Sequence, residues 1–412
     1  MSDATTPSVP PTATQETTPD AATRAPTTYD AAPDSAHAAT RAPATHDAGP
    51  DSAHAAATTH APATHDAASD SAHAAARATA TSDDATHASA AAAAVARRPR
   101  AHLTFALPPN AAARLAGAPV EVTTSTAGRH ELLAAVPGAA AIVSLVTHRI
   151  DGEVMDAAGP SLRLVANLGV GYDNIDVAAA AARGIAVTNT PGVLDEATAD
   201  LAFTLLLATA RRVVEADRFV RTGAEWRWEP DFFVGLDVSA GATLGIVGLG
   251  RIGFAVARRA AAFGMRIVAT GSRATGPEAE ALGIRAVDLP ELLAESDVVS
   301  LHCPLTPETR HLIGAEQFAA MKRSAILINT ARGPIVDELA LIDALRDGII
   351  GAAGLDVFEW EPAISQGLLG LPNVVAVPHI GSAGAATRER MGDLAVQNVV
   401  AVLAGRPPVT PV

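Results

Sequence analysis

The chain has 412 residues, with 30 Lys and Arg against 44 Asp and Glu, and a formal net charge of −14. That balance argues against nucleic acid as a main partner, since phosphate binding needs clustered Lys and Arg. No apolar run approaches the roughly 18 residues of a membrane span, so no membrane partner is expected either. Cys303 is the single cysteine and makes no internal disulfide, which fits a reducing cytoplasm. The N-terminus has neither the basic start nor the apolar core of a secretory signal.

Residues 1–98 contain no Leu, Ile, Phe or Trp, and Tyr29 is their only aromatic residue. Ordering a backbone costs about 1–2 kcal/mol per residue, and this composition has little apolar surface to offset it, so a disordered tail is expected. The tail repeats itself with a period of 17 residues, in Ala21–His37, Ala38–His54 and, more loosely, Ala55–His73. A solenoid repeat would supply apolar residues to a shared core, and this one does not. Its histidines admit a metal-binding or pH-responsive reading, but low-complexity duplication accounts for them, and no metal site is expected.

After Arg100 the pattern alternates between strands and helices. Strands are predicted at Ile142–Val146, Leu164–Asn167 and Ile185–Thr188. Asp195–Arg221 reads as one long helix with apolar residues at helical spacing and a basic end. Thr243–Val247 (strand), Ile252–Phe263 (helix) and Arg266–Thr270 (strand) follow. Further strands are predicted at Val298–Leu301, Ala325–Asn329, Ala353–Val357 and Val374–Val377, with helices at Pro290–Ser296 and Asp337–Arg346 between them. A last helix runs from about Ala385 to Leu403 and stops at Gly405. Alternation of this kind implies parallel, doubly wound sheets.

Gly248-Leu249-Gly250-Arg251-Ile252-Gly253 follows an apolar strand and opens a helix. A GxGxxG alone is weak; this context gives it a mechanical meaning. Gly248 permits a tight turn, Gly250 lets the backbone approach a pyrophosphate, and Gly253 lets helix and strand pack closely. Free N–H groups at the helix start then face the phosphates. The strand after it ends in Gly271-Ser272-Arg273, without the acidic residue that usually meets a free ribose 2′-hydroxyl. Arg273 suits a 2′-phosphate, so NADP(H) is expected in preference to NAD(H), with NAD(H) still possible. Arg273 could alternatively stack on adenine or face water.

Three ionisable residues follow later strands: Arg332, Glu361 and His379. Ligands of open α/β sheets bind outside the carboxyl ends of the strands. His379 suits a general acid near neutral pH, and Glu361 can favour its protonated form by bonding the other ring nitrogen. Arg332 offers a fork of donors to a substrate carboxylate and carbonyl. Each has a bland alternative as a buried histidine, a strand-end carboxylate or an ion-pair partner. His302, His311 and Cys303 are read as structural.

Taken together, these motifs resemble the D-isomer-specific 2-hydroxyacid dehydrogenases, most closely their glyoxylate and hydroxypyruvate reductase branch, over roughly residues 101–412. Asn167-Leu168-Gly169-Val170-Gly171-Tyr172-Asp173-Asn174-Ile175-Asp176 matches a family signature in the substrate domain as well. The resemblance implies two doubly wound, Rossmann-like α/β domains with a cleft between them: a split substrate domain (99–194 with 384–412) and a dinucleotide-binding domain (195–383). It implies NAD(P)-dependent reduction of a small 2-oxo acid to the 2-hydroxy acid, with Arg332, Glu361 and His379 catalytic. Val170 and Gly171 then resemble a second carboxylate clamp. Arg251 and Ile252 fall at the pyrophosphate, Pro304 at the adenine, Asp356 at the nicotinamide amide and Thr198 near its ring. Trp228 resembles an aromatic that reaches a neighbouring subunit's active site in a homodimer, or one that simply packs at the interface. Gly384 stands where the family often has Thr, and a hydroxyl would cap the last helix better than Gly. Alternatives from the same resemblance are an NAD(H)-sensing corepressor and a phosphoglycerate dehydrogenase. A formate dehydrogenase is disfavoured because it would carry Gln at position 361.

Overall fold

The computed structural model describes residues 98–125 and 128–412. The 17-residue repeat and the expectation of disorder lie outside the described residues, apart from Arg98. The described chain builds two parallel sheets. The first has the order β2-β1-β3-β4-β5, from β1 (Arg100–Leu103), β2 (Glu121–Thr124), β3 (Ala141–Leu145), β4 (Leu164–Leu168) and β5 (Ala186–Thr188). The second has the order β12-β11-β10-β9-β6-β7-β8, from β6 (Thr243–Val247), β7 (Arg266–Thr270), β8 (Arg285–Ala286), β9 (Val298–Leu301), β10 (Ile326–Asn329), β11 (Ala352–Leu355) and β12 (Val374–Ala376). In both sheets the strand order reverses partway, which opens a crevice at the strands' carboxyl ends.

The central strands β4, β6, β9 and β10 are buried along their length and largely apolar because both faces of each sheet are covered. Leu244, Ile246, Ile326 and Ile328 enter the core on one face of the second sheet, whereas Val247 and Leu327 enter the core on the other. The same alternation sends Leu164 and Ala166 of β4 to one core and Val165 to the other. Each such buried Val, Leu or Ile side chain stabilises the fold by about 1.5–3 kcal/mol.

Around the first sheet lie α1 (Pro109–Ala116), α2 (Arg129–Ala135), α3 (Gly152–Ala158) and α4 (Val177–Ala182). After β5 come α5 (Asp195–Ala210) and α6 (Val213–Arg221). The second sheet carries α7 (Arg251–Ala262), α8 (Pro277–Ala281), α9 (Leu289–Glu295), α10 (Ala315–Ala320), α11 (Glu338–Arg346) and α12 (Gln366–Leu369). The last helix, α13 (Ala385–Leu403), returns to the first sheet and packs on α1 and β4. The side chains of Asp151, Asp176, Asp288 and Asp337 accept from N–H groups in the first turns of α3, α4, α9 and α11. Each cap of this kind is worth about 1 kcal/mol. Gly384 opens α13 without a side-chain cap.

One predicted element is corrected. The helix expected over Asp195–Arg221 breaks at Arg212, which is left-handed (φ 54°). The apolar periodicity runs through the break because both pieces have an apolar face. Their surroundings differ: α5 packs against α7, β10 and β11, whereas α6 has no buried residue. The Leu236 N–H donates to the freed Ala210 carbonyl (2.8 Å), and the Arg212 guanidinium grips Glu215. Strands β1 and β2 and most of the short helices carry too little pattern to be predicted. Strand β2, an edge strand, buries no residue.

Candidate active site

The glycine turn follows β6, beside the reversal between β6 and β9. Gly248 has φ 95°, and a Cβ there would stand 2.6 Å from the Cys303 nitrogen. A Cβ on Gly253 would stand 2.5 Å from the Gly248 carbonyl oxygen, so only glycine lets α7 lie this close to the strand end. Gly250 is the residue before α7, and nothing lies within 4 Å of its Cβ position. The turn therefore has the two close approaches and the one open backbone face that a pyrophosphate cradle needs. Arg251 is exposed, and Ile252 packs against the core of the first lobe, the one built on the first sheet and α13, the second lobe being the one built on the second sheet.

Ser272 and Arg273 are exposed beyond β7. Arg273 is neither stacked in an open slot nor free: it bonds Glu278 at 2.7 Å and lies 4.6 Å over the Phe254 ring. The Pro304 carbonyl accepts from the Thr309 hydroxyl at 2.7 Å, which fixes the turn after β9. Before it, His302 bonds Ser300 at 2.8 Å; burial pushes its pKa down to about 4 and that of the Cys303 thiol up to about 11.

His379 and Glu361 meet: Nδ1 lies 2.8 Å from Oε2. The other Glu361 oxygen accepts the Phe358 N–H at 2.9 Å. Burial pushes the Glu361 carboxyl up, but the bond and charge of His379, the Phe358 N–H and the Arg332 charge outweigh it, so its pKa lies below the ordinary value. Nε2 of His379 has no protein partner among the described residues. His379 is left-handed (φ 53°), a strained conformation for a non-glycine residue. Asp356 holds it there. The Asp356 carbonyl accepts the His379 N–H (2.8 Å), and its carboxylate accepts from Ile380 (2.6 Å) and Gly381 (2.8 Å). Both oxygens of the Asp356 carboxylate thus serve the backbone of the histidine loop. Burial raises its pKa in spite of those bonds. Thr198 is buried beside Gly381, where a Cβ would lie 3.4 Å from its Cγ2.

Arg332 follows β10 and reaches towards the first lobe. Its Nε bonds Asp173 at 2.8 Å and its Nη1 bonds the Ala331 carbonyl at 2.8 Å. Its Nη2 lies over Gly171, 2.0 Å from where a Cβ would stand. Beyond β4, the carbonyls of Val170 and Gly171 are pinned by the side-chain amides of Asn189 (2.7 Å) and Asn167 (2.6 Å). Among the described residues the N–H groups of Val170 and Gly171 donate to no protein acceptor. Asn174 braces this loop by bonding the Leu145 and His148 carbonyls and Asn167.

Arg332, Glu361, His379, Asp356, Thr198, Val170 and Gly171 thus form one connected cluster beyond the strand ends. Trp228 is not brought into it. It stands 76% exposed on a segment where Trp226 stacks on Phe232 with centroids 6.0 Å apart. Asn167, Asp173 and Asn174 are legible in the sequence only as members of a signature, without the roles seen here, and Asn189 is not singled out at all. A polar residue inside a buried strand (Asn167) and polar residues just past strand ends are the signal available for them.

Two parallel sheets, a glycine turn at the strand-order reversal and a carboxylate–imidazole pair beyond neighbouring strands define an NAD(P)-dependent oxidoreductase. Residues 203–381 match the family model described as D-isomer specific 2-hydroxyacid dehydrogenase, NAD binding domain. The chain is 57% identical over 271 residues to the glyoxylate reductase of Korarchaeum cryptofilum, covering 65% of this chain and 81% of that one. Among solved structures it is similar to the NADPH-dependent glyoxylate/hydroxypyruvate reductase of Sinorhizobium meliloti in complex with NADP and malonate, at 38% identity, a TM-score of 0.67 and coverage of 76% and 97%. A glyoxylate reductase from Paecilomyes thermophila aligns at 35% identity and a TM-score of 0.69, covering 76% of this chain and 98% of that one. The chain belongs to the D-isomer specific 2-hydroxyacid dehydrogenase family, in its glyoxylate reductase-like branch.

Proposed function

We propose that the protein reduces glyoxylate or hydroxypyruvate, or a 2-oxo acid of similar size, to the 2-hydroxy acid, using NADPH in preference to NADH. The observation that carries this reading is the His379–Glu361 pair at 2.8 Å, with Arg332 over Gly171 beside it. Residues 99–194 and 384–412 form the substrate domain, and residues 195–383 form the dinucleotide domain.

Gly248, Gly250, Arg251, Ile252 and Gly253 would hold the pyrophosphate of a bound dinucleotide, Ser272 and Arg273 would meet its 2′-phosphate, and Pro304 would line the adenine site. Thr198 and Asp356 lie at the nicotinamide end. The bound nicotinamide supplies the hydride. Arg332 and the free N–H groups of Val170 and Gly171 grip the substrate carboxylate, which leaves the 2-oxo group facing His379. Negative charge growing on the carbonyl oxygen is met by the proton on Nε2, while Glu361 stabilises the imidazolium through Nδ1. Trp228 and its exposed aromatic neighbours supply the contact of a homodimer and reach towards the partner's cleft.

The test follows NADPH absorbance with glyoxylate, hydroxypyruvate and pyruvate, then repeats it with NADH. Turnover of the first two with NADPH is expected, and His379→Ala should lower it by roughly 10²–10⁴-fold. Cofactor binding without turnover of any 2-oxo acid would refute the reading.

A further inference from the structure

Among the described residues, little polar bonding joins the two lobes. Among the described residues, Arg332–Asp173 is the one side-chain hydrogen bond or ion pair that crosses from the second lobe to the first. Both partners are largely shielded, with side-chain exposures of 18% for Arg332 and 31% for Asp173. The pair is also placed where it matters. A guanidinium is a rigid planar fork, so fixing two of its nitrogens fixes the third. Asp173 takes Nε and the Ala331 carbonyl takes Nη1; the Nη2 edge is then left directly over Gly171. Asp173 itself sits under the same glycine, its Oδ1 3.3 Å from the Cβ position.

We propose that Asp173 is the positioning residue for Arg332, reaching across the cleft to aim the free edge of the guanidinium at the substrate carboxylate. The inference rests on the role given to Arg332 above and goes beyond it by making the first lobe responsible for the arginine's orientation. A carboxylate in this position does two opposing things. It orients the fork, which favours turnover, and its negative charge opposes a second anion, which weakens substrate binding. Asparagine retains an acceptor for Nε and lacks the charge. The two effects are therefore separable.

The experiment compares Asp173→Ala, Asp173→Asn, Arg332→Ala and the Asp173→Ala/Arg332→Ala double variant in full-length protein. It measures kcat and KM for glyoxylate, with NADPH affinity read by fluorescence as a check on folding. Misplacing a binding group by about 1 Å costs up to about 10²-fold in rate, so Asp173→Ala should lower kcat by about tenfold or more. Asp173→Asn should recover most of kcat with a KM below that of the wild type. In the Arg332→Ala background, removing Asp173 should add almost nothing, because the two act as one unit. An Asp173→Ala loss that recurs undiminished in that background, or an Asp173→Asn variant no better than Asp173→Ala, would overturn the inference. If Arg332→Ala alone leaves kcat/KM unchanged, the functional assignment of the arginine fails, and this inference fails with it. A normal Asp173→Ala enzyme beside a crippled Arg332→Ala enzyme would refute the positioning role and leave the proposed function intact.

Discussion

Gly171→Ala tests the site at the cost of a single methyl group. The added Cβ would lie 2.0 Å from Arg332 Nη2 and 2.7 Å from its Cζ. Carbon and nitrogen rest comfortably at about 3.5 Å, so one group has to give way by roughly 1.5 Å. The atom in the way is the far end of a flexible side chain, not backbone. The fold can therefore absorb the methyl by releasing the guanidinium from its position. Stability should change by no more than about 0.5 kcal/mol, as for an ordinary surface substitution. Catalysis should not be spared: displacement on that scale predicts a loss of about 10²-fold in kcat/KM, equivalent to about 2.7 kcal/mol of transition-state stabilisation. The assay pairs thermal unfolding with steady-state reduction of glyoxylate. An alanine variant with near-normal kcat/KM would refute the reasoning, since it would mean that the guanidinium does not need the space above Gly171. A variant that unfolds early would also refute it, because the cost would then have fallen on the backbone.

Gly333→Ala should behave in the opposite way. Its Cβ would meet the Phe358 carbonyl carbon at 1.9 Å and its oxygen at 2.0 Å, and that is backbone, so urea melts should show a loss of at least about 1–3 kcal/mol. Glu361 has its pKa held below the ordinary value, so the charge it presents to His379, and the stability that charge contributes, are fully present above the usual carboxylate range. Both are lost only as pH falls through the lowered value, so the acid limb of kcat/KM should lie below that range, and Glu361→Gln should reduce turnover and abolish the limb. Arg273→Ala should raise the KM for NADPH by about tenfold with little change for NADH, as expected for one charge-assisted bond. Glu278→Gln, which frees Arg273 from its 2.7 Å partner, should shift selectivity towards NADPH, and the ratio of kcat/KM values for the two cofactors reads both changes.

The parts of this architecture most legible in the sequence are those set by a single atom's space or a strand's period. Gly248 and Gly253 are readable because a Cβ at either would strike backbone, and Thr243–Val247 because burial on both faces makes Leu244–Val247 an unbroken apolar run. That Arg332, Glu361 and His379 share one edge follows from parallel strands, whose carboxyl ends all point the same way. Distances between side chains are another matter. Asn189 lies 19 residues from the carbonyl it pins, and Asp173 lies 159 residues from its arginine; only the folded chain brings them together. The kink at Arg212 was hidden for a different reason. Apolar periodicity reports which face is buried, and it does not report that the neighbouring backbone at Leu236 takes over a carbonyl of the helix.

The return of α13 to the first lobe has a consequence for how the molecule is made. The lobe built on β1–β5 draws part of its core from Met391, Ala395, Val396 and Val399, and Asn398 bonds Thr410, which in turn bonds Asn189. During synthesis the strands of that lobe emerge early and must wait, with one apolar face uncovered, for roughly two hundred further residues. The intervening lobe has all of its strands by Ala376 and can close first. The half that is translated first is thus the half that finishes last, and its interval of exposure is where a chaperone or an aggregation partner would have its opportunity.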